Sequence, residues 1–356
     1  MNLSASALRC FSLLGFSLLG FSLFGFCAGN DATAATVPFV ATQAAQVQAV
    51  TSQKAAGNWF QYGFKPMGTQ AYVEVYAADE QQAQQAFAKV EAEFSRVNAL
   101  MSPWVEQSEL SLLNREAAKH PVTVSSEMYQ LLKRAAAVSE LSQGAFDVTF
   151  ASVGFQFDYR EHKKPDARTL ASQKQWINYR YVELLPNNQV HYAKPGVKVD
   201  LGGIAKGYTV ERSVQILANM GIRHALVSAG GDTRLLGDKL GQPWLVAIKH
   251  PRQEDRYAAQ LPIVDSAIST SGDYERYFIE DGRRYHHILD PKTGESPGEL
   301  MSVSVIGADA TQTDALSTTL FVLGLERGMA LIEQIPGYEA VFINKDRKLF
   351  FSSGLQ

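Results

Sequence analysis

The chain has 356 residues, 46% of them hydrophobic and 19% charged, which excludes a disordered protein and leaves room for one large domain or two small ones. A formal net charge of −3 gives no basic excess with which to neutralise a phosphate backbone, so nucleic acid is excluded as the expected partner. A small anionic ligand stays open, because it needs only local positive groups.

Residues 11–26, FSLLGFSLLGFSLFGF, follow a single basic residue, Arg9, and repeat a five-residue apolar unit. Their length and position predict the core of a signal peptide over 1–35, with the small-residue stretch AGNDATAA suited to cleavage near Ala35. An uncleaved anchor is the alternative, but the run is short for a full span. Cys27 is placed for lipid attachment, although Phe26 before it is larger than the residue such sites carry. Both cysteines, Cys10 and Cys27, fall in this leader, so the remaining chain has no thiol for a disulfide, a nucleophile or a thiolate metal site.

Residues 36–57, rich in Ala, Gln, Thr and Val without period, read as a tether, and no later linker divides 58–356. Alternation of Ala71, Val73 and Val75 predicts a strand. Ala83, Phe87, Val90, Phe94 and Val97 recur at helical spacing and predict a helix from about Asp79 to Asn98, and a second helix follows Ser125 or Ser126. Val210, Val214 and Leu217 form another helical stripe that Gly221 would end. HALVSAGGD reads as a strand entering a glycine turn. PWLVAIKHP, MSVSVIGA, YEAVFINKD and KLFFSS read as strands, the last two joined in a hairpin at Asn344 to Arg347. Strands and helices mix without strict βα alternation, which predicts an α+β domain over 58–356.

Several stretches carry chemistry. VDLGGIAKGY, residues 199–208, reads as a strand ending at Asp200, two glycines and a helix starting near Ile204. That arrangement aims backbone amides and a helix N-terminus at an anion. Lys206 sits where it opposes the helix dipole, so local helix stability does not explain it. A glycine turn with a surface lysine fits the stretch, taken alone, as well. In TDALSTTLFVLG, residues 313–324, helical spacing puts Asp314 and Thr318 on one face and Leu316, Leu320 and Leu323 on the other. Two such oxygens suit a hard cation that completes its shell with water and phosphate, while an N-terminal helix charge beside a filler threonine explains them equally well. In YHHILDPKTG, residues 285–294, neighbouring histidines on a strand point to opposite faces, so only one of His286 and His287 can face a site. AISTSGDYERYF at 267–278 reads as a small-residue loop, and GAFDVTF at 144–150 as an apolar strand interrupted by Asp147.

In this order, DLGGIAKGY, SAGGD, STSGDYERYF, HHILDPKTG and TDALSTTLFVLG resemble the ApbE-type FAD:protein FMN transferases, as do PMGT, SELSLLN and GAFDVT nearer the N-terminus. The resemblance runs from about Tyr62 to Phe350 and implies a single T-fold-related domain that binds FAD and Mg²⁺, transfers FMN to a Ser or Thr hydroxyl of an acceptor protein, and releases AMP. Carried over residue by residue, it implies metal contacts from Asp314, Thr318 and the Gly203 carbonyl. It implies FAD contacts from Met67, Ala145, Phe146, Asp147, Asp200, Lys206 and Ile288, with Trp104 as a further flavin contact. His287, at the family's HI(I/L)DP position, would take the acceptor's proton, beside Lys206 and Asp314 as catalytic residues. With the leader, it implies a protein exported to the periplasm or the periplasmic face of the inner membrane. The acceptor would be a flavoprotein such as a membrane redox-pump subunit or a periplasmic reductase. FASVGFQFDYREHKK after GAFDVT, and VSAGGD in place of Asn-Leu-Gly-Gly-Asp, depart from the family pattern in the flavin cleft. The alternatives are an FAD pyrophosphatase, with water as nucleophile, and a non-catalytic flavin-binding protein.

Overall fold

A computed structural model of the chain describes residues 57–253 and 255–356. The expected signal peptide, and the expected tether apart from Gly57, lie outside them. Ala71, Val73, Val75 and Ala77 are buried in β2 (Ala71–Ala77), with Tyr72 and Tyr76 half-exposed between them and Glu74 buried as well, and the strand pairs with β1 (Asn58–Phe64). Asp79 accepts from the Gln82 amide and starts α1 (Glu80–Met101), whose stripe of Phe87, Val90, Phe94 and Val97 is buried. Then come α2 (Glu109–Glu116), β3 (Val122–Thr123) and α3 (Ser126–Leu141), the last capped by Ser125. Short helices α4 (Ala151–Gly154) and α5 (Ala167–Lys174) precede β4 (Val182–Leu185) and β5 (Gln189–Tyr192).

Helix α6 (Ala205–Asn219) stops at Gly221, where φ is +84°, as the sequence pattern requires. It leads into β6 (Ala225–Ala229), β7 (Asp232–Leu236), β8 (Trp244–Lys249), β9 (Tyr257–Ile263), β10 (Ala267–Gly272), β11 (Tyr277–Glu280), β12 (Arg283–His286) and β13 (Leu300–Gly307). The chain closes with α7 (Ala310–Ile332), β14 (Glu339–Asn344) and β15 (Leu349–Phe351). An eight-stranded antiparallel sheet in the order β1-β2-β6-β7-β10-β13-β14-β15 organises the domain, which is the expected α+β class. Helix α7 packs on β10 and β13, and α6 packs between α7 and α1. The α6–α7 approach is so close that a Cβ on Gly207 would lie 2.2 Å from the Ala310 carbonyl oxygen.

Three expectations need correction. Residues 197–200 form no strand: Asn114 grips both backbone groups of Val199 at 2.8 Å, and the Asp200 amide donates to the Val148 carbonyl. Residues 144–150 are not a strand either. Gly144 turns with φ +82°, and Asp147 caps a single 3₁₀ turn, Val148–Phe150, by accepting from the Thr149 amide and hydroxyl. The small-residue stretch at 267–272 is a central strand, β10, and not a loop. Its small hydroxyls let α7 lie close, with Ser269 bonded to Thr313 and Ser271 to Ser317 at 2.8 and 2.9 Å.

Candidate active site

The end of β10, the Gly230–Gly231 turn between β6 and β7, the start of α6 and one face of α7 enclose a cavity of about 300 Å³. Met67, Trp104, Ala145, Phe146, Asp147, Asp200, Gly203, Lys206, His287, Ile288, Asp314 and Thr318, the residues singled out in the sequence, all line it. The β6–β7 turn is tight for a reason: a Cβ on Gly231 would fall 2.3 Å from the Thr270 carbonyl oxygen, so only glycine lets it lie against β10 here.

Charge concentrates where α6 meets α7. Lys206 Nζ donates to Asp232 Oδ2 at 2.7 Å and lies 3.5 Å from Asp314 Oδ1, while Asp314 Oδ2 accepts from the Gly207 amide at 2.9 Å. Burial works against the lysine's charge, but Asp232 and Asp314 outweigh it and hold the ammonium above its ordinary value. Burial, reinforced by the Asp232 carboxylate, pushes Asp314 up to about 7. Burial also raises Asp200 and Asp147. One ammonium therefore serves two carboxylates, and the cluster holds more negative charge than it neutralises.

That imbalance, and the donors beside it, fit a hard cation. Thr318 Oγ1 lies 3.1 Å from Ser271 Oγ, and a Cβ on Gly203 would sit 3.4 Å from Thr318 Oγ1, so the Gly203 backbone flanks the threonine. Among the described residues no group of three His, Cys, Asp or Glu side chains is arranged as a metal cage. One carboxylate and one hydroxyl beside a glycine turn instead leave an open site, of the kind that a hard cation completes with water and phosphate.

His286 and His287 diverge as expected. His286 packs edge-on to Phe321 at 5.4 Å, and its Nε2 lies 2.8 Å from the Pro297 carbonyl oxygen. His287 lines the cavity, and its Nδ1 is buried without a hydrogen-bond partner among the described residues. Burial, with the nearby Arg276 cation adding to it, holds His287 well below its ordinary pKa, so the ring is neutral. Phe155, Phe157 and Tyr159 give the cavity an aromatic wall, and Trp104, 77% exposed, meets Phe155 edge-on at its rim.

Sequence reasoning passed over Asp232, Arg276 and this wall. Asp232 follows the SAGG turn directly and is 1% exposed, and an acid beside a tight glycine turn was the signal available. The aromatic wall comes from the stretch noted only as departing from the family pattern.

Comparison with known proteins agrees with this geometry. The sequence model of the ApbE family matches residues 67–342. The chain is 32% identical over 299 residues to an FAD:protein FMN transferase of Klebsiella pneumoniae, covering 83% of this chain and 92% of that one. It is 34% identical over 313 residues to an FAD:protein FMN transferase of Treponema pallidum, covering 81% and 85%. The crystal structure of the ApbE protein of Thermotoga maritima superimposes with a TM-score of 0.77 at 33% identity, covering 84% of this chain and 98% of that one.

Proposed function

The chain belongs to the ApbE family, and from that premise we propose that it is an FAD:protein FMN transferase that moves FMN from FAD to a Ser or Thr hydroxyl of an acceptor protein. The observation that carries the reading is the Lys206–Asp232–Asp314 cluster, beside Thr318 and Gly203, at the floor of an aromatic-walled cavity. Aromatic and apolar lining suits the flavin and adenine rings, and the charged end suits the pyrophosphate between them.

In the reaction the acceptor hydroxyl oxygen bonds to the FMN phosphorus, the bond from that phosphorus to the bridging oxygen breaks, and AMP leaves with that oxygen. Lys206, kept charged by two carboxylates, places a fixed cation where negative charge builds on the phosphoryl oxygens. Asp314, Thr318 and the Gly203 carbonyl would hold Mg²⁺, which supplies charge neutralisation on the pyrophosphate when bound. Asp232 keeps Lys206 aimed at the cavity. His287, neutral and with Nδ1 unpaired, accepts the proton of the attacking hydroxyl. The acceptor we place in the periplasm or at the inner membrane's outer face, in keeping with the apolar leader.

The test mixes the protein with FAD, Mg²⁺ and a flavin-acceptor domain and reads acceptor mass and AMP. A mass gain equal to FMN, lost on chelation, is expected. AMP and free FMN with an unmodified acceptor would mean pyrophosphatase activity, and no AMP at all would mean a flavin-binding protein.

A further inference from the structure

The two histidines of the HHILD stretch serve two different cavities. His287 faces the one described above, while His286 lines a second cavity of about 360 Å³ that shares no lining residue with the first. The charged side chains that line it are Arg252, Arg283, Arg284 and Lys345, with Asp273 as its one carboxylate.

Those charges do not cancel. Arg252 holds Asp273 in a two-pronged pair at 2.7 and 2.5 Å. Arg284 lies over the Tyr277 ring at 3.7 Å with its Nε 3.7 Å from the same carboxylate. Arg283 pairs with Glu295 at 3.0 Å, and the Lys345 ammonium has no ion-pair partner among the described residues. Arg252 and Arg284 thus share one carboxylate while Lys345 has none, and the two arginine side chains are only 24% and 21% exposed. Partly buried guanidinium groups in excess over their counter-charges are costly unless an anion completes them.

The His286 imidazole in the same lining adds neither a cation nor a free donor. The ring is 1% exposed, and the Pro297 carbonyl at Nε2 can only accept, which fixes the proton there and leaves Nδ1 as an acceptor. That Nδ1 is buried and has no partner among the described residues.

We propose that this second cavity binds a phosphate monoester or free phosphate, held by Arg284, Lys345 and Arg283. A dianion matches the uncompensated charge, and donors arriving from β12 and from the β14–β15 turn suit a tetrahedral oxyanion better than a planar carboxylate. The volume exceeds what bare phosphate fills, leaving room for the organic part of an ester.

The site borders the strand whose end, Thr270–Gly272, lines the first cavity. Asp273 follows β10 directly and precedes Glu275 and Arg276, which line the first cavity. Occupation of the second cavity therefore competes with Asp273 for the arginines next to that loop.

Calorimetric titration of the protein, free of FAD and metal, with inorganic phosphate and separately with AMP tests the proposal in three forms: wild type, Arg283→Ala/Lys345→Ala, and Lys206→Met. Arg283 and Lys345 are exposed, so the double variant keeps the fold, with thermal unfolding as the check. A loss of about tenfold or more in phosphate affinity in the double variant, with little change in Lys206→Met, is expected. AMP binding tighter than phosphate at the same residues would identify the ester as the ligand, and equal affinities would identify free phosphate. Absence of phosphate binding in the wild type, or binding lost with Lys206 and indifferent to Arg283 and Lys345, would overturn it.

Discussion

Helix α6 takes part in two polar clusters that differ in one respect. Near its start, Lys206 faces Asp232 and Asp314, and one ammonium is shared between two buried carboxylates. Two and six residues on, Tyr208 and Arg212 join Arg96 of α1, Glu93 of α1 and Glu127 of α3, where two guanidinium groups meet two carboxylates and the tyrosine hydroxyl donates to Glu127. In that second cluster hydrogen bonds from Arg96 hold Glu93 and Glu127 below the ordinary glutamate value. In the first, burial and a like charge push Asp314 up to about 7. A cluster whose charges and hydrogen bonds close among themselves holds elements together. One left with surplus negative charge in a cavity is arranged for something that arrives from outside.

The sharpest way to break this contrast is Asp314→Ala. It should lower the rate of FMN transfer by about 10²–10³, the size expected when a group stabilising transition-state charge is removed, while FAD binding survives. Adding a chelator to the wild type should reproduce the loss. Proportional loss of binding and transfer would return the cluster to a binding role. Next in size is the stability difference between the clusters. Lys206→Met leaves two buried carboxylates without their cation and should destabilise by about 3 kcal/mol. Arg96 is 43% exposed, so solvent already screens its pairs, and Arg96→Ala should lose about 1 kcal/mol with transfer unchanged. Denaturant unfolding of both variants, beside the transfer assay, separates them, and a transfer defect in Arg96→Ala would contradict the division.

The two clusters were not equally legible in the sequence. Lys206 stood out because a lysine in the first turn of a helix opposes the dipole, and Asp314 with Thr318 because helical spacing stacks them. The Arg96–Glu127 and Arg212–Glu93 pairs join residues 31 and 119 apart, and no local pattern reports such pairs. Asp232 was hidden for the same reason, since its meaning depends on a lysine 26 residues away. Helices α1, α3 and α6 were readable from caps and stripes. Strand β10 was not, because Ser269, Thr270 and Ser271 look like a loop until a helix of matching hydroxyls is laid on them. Residues 197–200 misled in the opposite sense: side chains of Asn114 and Ser152, and no neighbouring strand, bond the backbone of Lys198 and Val199.

The smallest expected effect is the one that distinguishes the clusters by sign. Asp314 binds its proton more tightly folded than unfolded, rising from 3.8 to about 7, so its charged form opposes folding above that pH. Stability is gained as pH falls through about 7 toward the ordinary carboxylate value. Glu93 and Glu127 bind protons less tightly when folded, so their contribution is present above about 4.5 and lost as pH falls through their lower folded values. His286 and His287, kept neutral, weaken the fold below their ordinary value of 6.5 and would blur either limb in a single curve. They cancel in the difference between a variant and the wild type. Measured by thermal unfolding with chelator present, Asp314→Asn should exceed the wild type by on the order of 1 kcal/mol at pH 8, by less at pH 5, and converge with it only below about 4. Arg96→Ala should fall below the wild type by a constant amount from pH 8 to 5 and converge with it only below about 4.5. Parallel differences for the two variants across this range would mean that the carboxylates of the cavity are as well matched as those of the helix cluster, and the contrast would fail.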